Sequence, residues 1–190
     1  MKFKKTSLAL GSLLLGFLAS SCNTTQVPKN YHETERQAKV VLAGKVEYNT
    51  GPLISHGFLS CSGIVFDYGN EAIMAHVLKD GSWKFNTYTG LGDNEAVQTI
   101  VDLSKEKGLD YRKARVVIDA GAKSSLEIIL KDLKALGLKP ALVKKGRLDD
   151  YDSRNSLDST SIYYAPATDS LYERLSEDGD FINFNLEEGY

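Results

Sequence analysis

The chain has 190 residues, with 23 basic and 25 acidic side chains and a formal net charge of −2. Its hydrophobic content of 42% and charged content of 25% are typical of a soluble globular protein, and 16 glycines and 4 prolines are too few for a collagen-like or disordered chain. The slightly acidic balance does not favour nucleic acid as a partner. The length fits one domain with a full hydrophobic core.

The first residues have the pattern of an export signal. Three lysines precede an apolar run at residues 8–18, which is followed by small residues and Cys22. We interpret residues 1–21 as a bacterial secretory signal peptide, because the run is shorter than the roughly 20 residues of a membrane-spanning helix. Its lipobox-like end implies that Cys22 becomes the acylated first residue and anchors the protein in the cell envelope. The alternative is ordinary cleavage near Ala19 with Cys22 retained.

The rest of the chain divides into a tether, one domain and a tail. Residues 22–38 are polar with one proline, which predicts a flexible tether in which His32 is solvated. Residues 39–175 form the predicted domain, and residues 176–190 the predicted acidic tail. Loss of the three signal lysines changes the net charge from −2 to about −5. We expect the protein to be a monomer.

Cysteine usage draws attention to Cys61. If Cys22 carries lipid, Cys61 is the only other cysteine of an exported protein, and it cannot form an intramolecular disulfide. A lone thiol of this kind is either buried and inert or retained because its reactivity is used.

The residues around Cys61 predict a β-hairpin. A strand at 39–48 ends in a turn at 49–52, and residues 53–59 are interpreted as a short connection. Two apolar runs follow, around Ile64 and at 71–78, and turn at 67–70. A turn centred near residue 69 pairs His76 with about Ser62. This register makes Cys61 and His76 neighbours across the ladder, where facing Cβ atoms lie about 4.5 to 5.5 Å apart.

The second half predicts helices that cover a sheet. Residues 79–91, which include Trp83, are interpreted as a loop, and Asp93 as the N-cap of a helix that stops at Gly108. A strand at 114–119 precedes a helix that begins with a capping box at Ser124 and Glu127 and ends at Gly137. Further strands are predicted at 140–144, 160–164 and 181–185. The order indicates an α+β fold, a layered sandwich of mixed β-sheet covered by helices.

A thiol attacks an amide only as the thiolate, so a neighbouring base is needed. His76 is the candidate base, and Ser55 could orient it, bind substrate, or only cap a turn. We expect His56 to be an exposed loop residue and Asp67 to be a solvated turn residue. Three scattered histidines and one free cysteine do not form a metal site.

Three segments resemble the CheD family of bacterial chemoreceptor glutamine deamidases, related in fold to the deamidase domain of cytotoxic necrotizing factor. They are Leu59-Ser60-Cys61 before an apolar strand, Ile73-Met74-Ala75-His76-Val77-Leu78, and the strand that ends in Ala120-Gly121-Ala122. The resemblance covers about residues 41–148.

This resemblance implies that Cys61 is the nucleophile and His76 the general base, and that Ser55 takes the place of a family threonine six residues before the cysteine. It implies a layered α+β sandwich, hydrolysis of a glutamine side-chain amide to glutamate and ammonia, and no cofactor. Because the chain carries an export signal, the expected partners are a membrane and an envelope or external protein or peptide substrate that contains glutamine. The alternatives are a non-catalytic lipoprotein that uses the fold as a binding module, and a related enzyme that transfers the acyl group to an amine or hydrolyses a small amide such as a peptidoglycan-derived glutamine.

Overall fold

The computed structural model describes residues 31–58, 60–79, 90–144, 160–166, 170–174 and 182–184. The predicted signal peptide 1–21, Cys22, Trp83 and most of the acidic tail lie outside these residues. Among the residues that are described, no helix has both the length and the apolar character needed to cross a membrane.

The helices, in chain order, are α1 (Tyr31–Gln37), α2 (Asp93–Glu106) and α3 (Lys123–Ala135), with a short 3-10 helix at Tyr111–Lys113. The strands are β1 (Lys39–Val41), β2 (Val46–Asn49), β3 (Leu53–Phe58), β4 (Ser62–Asp67), β5 (Ala72–Val77), β6 (Arg115–Asp119), β7 (Pro140–Lys144), β8 (Thr160–Ala165), β9 (Ser170–Arg174) and β10 (Ile182–Phe184).

These strands form two mixed sheets. The outer sheet has the order β1-β3-β8-β9-β10 and the central sheet the order β2-β5-β4-β6-β7. The pairs β1–β3 and β6–β7 are parallel, and the other pairs are antiparallel. The predicted α+β class with mixed sheet covered by helices is confirmed, but the sequence did not predict that the strands divide between two stacked sheets.

The central sheet is covered on both faces. Its Ile64 and Phe66 pack with Ile100 of α2 and Ile129 of α3, whereas Val65 packs against the outer sheet. Every residue of β4 and β5 is buried, as expected for strands enclosed on both sides. The layers therefore run outer sheet, central sheet, helices.

The first predicted strand is two strands. Residues 39–48 contain β1 in the outer sheet and β2 in the central sheet, separated at Gly44. Gly44 has a φ of +70°, and a Cβ there would lie 2.8 Å from the Cα of Gly90. A side chain is excluded by both the backbone conformation and this close approach. The glycine thus allows the chain to pass from one sheet to the other.

Several other boundaries differ from the sequence-based prediction. Residues 53–58 form β3 rather than a connection, and residues 31–37 of the predicted tether form α1. Strand β9 itself was not predicted. Strand β3 pairs with the distant β8, as in the Leu53–Tyr164 pair, so local patterning does not reveal that pairing. The strands predicted at 140–144, 160–164 and 181–185 are confirmed as β7, β8 and β10, and β10 extends the outer sheet into the predicted tail.

The predicted helix N-caps and the predicted environment of Asp67 are also wrong, whereas the predicted stops at Gly108 and Gly137 agree with helices that end at Glu106 and Ala135. The N-cap residues are Gly92 and Ala122, so Asp93 and Ser124 lie inside the first turns. Asp67 is 5% exposed rather than solvated. Burial and then the charge of Asp67 raise the pKa of the Tyr164 hydroxyl above its usual range.

Candidate active site

The β4–β5 hairpin brings Cys61 and His76 to one face of the central sheet. The observed register pairs Gly63 with His76, one residue from the predicted partner Ser62. Because side chains alternate between faces, the predicted register would have put Cys61 and His76 on opposite faces. In the observed register Cys61 is the diagonal neighbour of His76, a relation that separates Cα atoms by about 7 to 8 Å.

The turn explains the difference in register. Asp67 pairs with Ala72, and the Tyr68 N–H donates to the Glu71 carbonyl at 2.9 Å. The loop is therefore centred between Gly69 and residue 70, half a residue later than predicted. Moving the centre by half a residue changes every pair by one position.

Ser55 of the outer sheet contacts His76 across the interface between the sheets. The Ser55 hydroxyl donates to the Val41 carbonyl at 2.5 Å and lies 2.8 Å from His76 Nδ1. A carbonyl only accepts, so the single hydroxyl proton is used there and Ser55 Oγ must accept from Nδ1–H. The neutral imidazole therefore carries its proton on Nδ1, and Nε2 holds the lone pair. Of the uses predicted for Ser55, orientation of His76 is the one that matches this contact.

A bulge in β3 allows a second contact with the same ring. The pairing of β3 with β8 shifts register between Ser55 and Phe58, where Gly57 has a φ of +81°. Without the bulge, residues three apart would point to opposite faces. With it, Phe58 also reaches His76 and stacks on the imidazole, with ring centroids 4.0 Å apart and planes 10° apart. The position and plane of His76 are thus fixed by one strand of the opposing sheet.

The three predicted site residues differ in exposure. Ser55 and His76 are fully buried, whereas Cys61 is 7% exposed. Cys61 is therefore the least buried of the three. Cys61 is a buried thiol, as one alternative predicted, and its position is also diagonal to His76 in the ladder, as the catalytic alternative requires.

The loop after β6 packs directly on the backbone of Cys61. A Cβ on Gly121 would lie 2.2 Å from the Cys61 carbonyl oxygen, and the Gly121 N–H donates to Ser62 Oγ at 3.3 Å. Helix α3 begins at Lys123, and Ala122 provides no side-chain cap. The N-terminal end of a helix carries about half a positive charge. This end of α3 therefore lies near the nucleophile candidate.

Gly121→Ala should destabilise the protein by about 1–3 kcal/mol, because the added methyl group meets backbone atoms of Ser60 and Cys61. Gly63→Ala is the matched control, since the nearest neighbours of its methyl group would be side-chain atoms: the flexible end of Ile162 at 2.8 Å and the Phe58 ring at 3.5 Å. Urea unfolding would measure the free energy of unfolding of both variants. Equal stability losses, or none for Gly121→Ala, would contradict the close contact.

The tautomer of His76 gives a second prediction. In the neutral ring, long-range ¹H–¹⁵N spectra should show the proton on Nδ1, because Ser55 Oγ accepts from that nitrogen. Ser55→Thr should keep this tautomer, and Ser55→Ala should reduce its population. A wild-type spectrum with the proton on Nε2 would contradict the assignment.

The expectation for His56 is wrong. It lies in β3, is about 20% exposed, and its Nδ1 is 2.8 Å from Ser161 Oγ. Its Nε2 is 3.9 Å from a carboxylate oxygen of Glu35 in α1. It follows Ser55 in the strand and so points to the opposite face of the outer sheet, away from His76.

Sequence reasoning missed two residues near the site. The stack of Phe58 on His76 has no local signal, because it depends on the bulge. Asp119 is 3% exposed and pairs with Gly63, next to His76 in the ladder. Its signal is an acidic residue directly after the apolar run 116–118 of strand β6.

Comparisons with known proteins do not assign a family. No protein-family model matches the chain, and no curated protein matches it. A function for this chain is therefore inferred from its sequence pattern and from the geometry around Cys61 and His76.

Proposed function

We propose that the protein is a membrane-tethered cysteine hydrolase that deamidates glutamine side chains of a protein or peptide. The observation that carries the proposal is the hydrogen bond from His76 Nδ1 to Ser55 Oγ, at 2.8 Å. Nε2 is then the basic atom of the imidazole, and His76 lies on the same face of the central sheet as Cys61. The CheD-like sequence pattern supports the same three roles.

The reaction has two halves. His76 Nε2 takes the Cys61 proton, and the sulfur attacks the carboxamide carbon. The imidazolium then gives the proton to the amide nitrogen of the substrate. The C–N bond breaks, ammonia departs, and a thioester on Cys61 remains. Water then gives a proton to Nε2 and attacks the thioester carbon, the C–S bond breaks, and the products are a glutamate side chain and the regenerated thiol. Ser55 holds the ring orientation throughout.

The helix after the Gly121 loop would favour the charged states of this reaction. Both the thiolate and the oxyanion of the tetrahedral intermediate are negative, and the N-terminal end of a helix stabilises negative charge. The close contact between Gly121 and the Cys61 carbonyl brings that end to the site.

The location is proposed from the N-terminal sequence. The signal-like residues 1–21 and the lipobox-like Cys22 support a location on a membrane of the bacterial envelope. The substrate would then be an envelope or external polypeptide, because cytoplasmic chemoreceptor domains are not accessible there.

The experiment that tests this function uses the full chain, in detergent, with a library of glutamine-containing peptides in ¹⁸O-labelled water. We expect release of one ammonia for each glutamate formed, with one ¹⁸O atom in each new carboxylate. Prior alkylation with iodoacetamide should stop both. If no peptide yields ammonia under conditions where the chain is folded, the proposed function is wrong.

A non-catalytic binding module is the second candidate, and the 7% exposure of Cys61 favours it. Iodoacetamide labelling across pH separates the two candidates. A thiol paired with an imidazole reacts well below pH 8, whereas an ordinary thiol titrates near pH 8.5. Incorporation of a primary amine in place of ammonia release would instead indicate acyl transfer to amines.

A further inference from the structure

A buried carboxylate lies in the same row of the central sheet as His76. Gly63 of β4 pairs with His76 of β5 on one side and with Asp119 of β6 on the other. The two outer residues are thus separated by two strand spacings of about 4.8 Å each. Asp119 is the last residue of β6 and is 3% exposed.

Asp119 also shares a face with the nucleophile candidate. Val117, two residues earlier in β6, packs with Cys61 and Val65 between the sheets, so Asp119 points to that same side. Cys61 precedes Gly63 by two residues and is therefore the diagonal neighbour of both His76 and Asp119. The register therefore puts position 61 between His76 and Asp119, which are contributed by the strands on either side of β4.

The chemistry of a carboxylate limits what Asp119 can do here. A negative group beside a thiolate makes ionisation of the thiol less favourable, so the residue does not activate Cys61. An ionised carboxylate can only accept hydrogen bonds. A primary carboxamide has two N–H donors, whereas an ester or a carboxylate has none.

We infer that Asp119 is a specificity-determining residue that accepts an N–H of the substrate carboxamide. This inference rests on the proposed function and names its substrate class: a primary amide rather than an ester or an acid. Asp119 forms no covalent bond and exchanges no proton in the reaction. When the amide becomes a carboxylate, the donors are lost and a like charge appears opposite Asp119, which promotes release of the product.

The test compares a glutamine peptide with the same peptide that carries a glutamate γ-methyl ester, using the full chain. Asp119→Asn removes the charge, and Asp119→Leu removes the acceptor with little change of shape. We expect Asp119→Leu to lower kcat/KM for the amide by about 10–100-fold, the effect of losing a charged hydrogen bond, and for the ester by less than about 3-fold. Asp119→Asn should bind the glutamate product about 10-fold more tightly.

Asp67→Asn is the matched control, because Asp67 is a buried carboxylate at the far end of β4. This variant should leave the ratio of kcat/KM for the amide to kcat/KM for the ester unchanged. An unchanged ratio in both Asp119 variants, or an equal loss for both substrates, would overturn the role of Asp119 alone. Absence of turnover of either substrate by the wild-type chain would instead overturn the proposed function.

Discussion

Cys61→Ala should reduce ammonia release from a glutamine peptide by at least about 1,000-fold, to the rate without protein. The alanine side chain cannot form the thioester, and the uncatalysed attack of water on an amide is very slow. Removal of the nucleophile from comparable hydrolases has effects of this size or larger. Single-turnover assays with mass detection of the thioester would measure the loss directly.

The stability of this variant should change little, because alanine removes only one sulfur atom from a side chain that is 7% exposed. The expected loss is about 1 kcal/mol, which urea unfolding would verify. Ser60→Ala changes the preceding side chain and should keep activity. Ammonia release by Cys61→Ala at the wild-type rate would exclude a cysteine mechanism.

The hairpin that carries Cys61 and His76 could be predicted from sequence because its signals are local. Two apolar runs surround a turn that contains Gly69, and such a turn limits the possible registers to a few. The choice among these registers could not be made locally. The Tyr68–Glu71 hydrogen bond selects a register shifted by one residue from the predicted one. This shift decides whether the side chains of Cys61 and His76 share a face.

The environment of His76 depends on the outer sheet, which local patterns did not reveal. Strand β3 pairs with β1 in parallel and with β8, which begins only at Thr160. Its short sequence contains Ser55, His56 and Gly57, so it lacks the continuous apolar pattern that marks a strand. The bulge that turns both Ser55 and Phe58 toward His76 follows from this long-range pairing.

The burial of Asp119 likewise could not be predicted from the sequence. An acidic residue at the end of an apolar strand is ordinary in a sequence, where it indicates the return of the chain to solvent. Only the pairing of β6 with β4 places it in a row with Gly63 and His76 and buries it. The N-terminal signal segment is a contrasting case: it was predicted from a local pattern alone and stays a prediction.

His76→Asn should lower kcat/KM for deamidation by about 100–10,000-fold, the usual contribution of a general base. The asparagine amide nitrogen takes the place of Nδ1 and can still donate to Ser55 Oγ, so the contact between the sheets remains. The Nε2 position is lost, and with it proton removal from Cys61. Labelling of Cys61 by iodoacetamide at pH 6 should slow in parallel, because no imidazolium then stabilises the thiolate.

Loss of the ring from a fully buried site also costs stability, about 2–3 kcal/mol from the missing stack on Phe58 and the cavity. Ile100→Val, in the core between the central sheet and the helices, provides a destabilised control that should stay active. Ser55→Ala should have a smaller effect on kcat than His76→Asn, because it changes the orientation of the base without removing it. If His76→Asn kept both deamidation and low-pH labelling, the base would have to be another group, and the Ser55–His76 contact would be structural only.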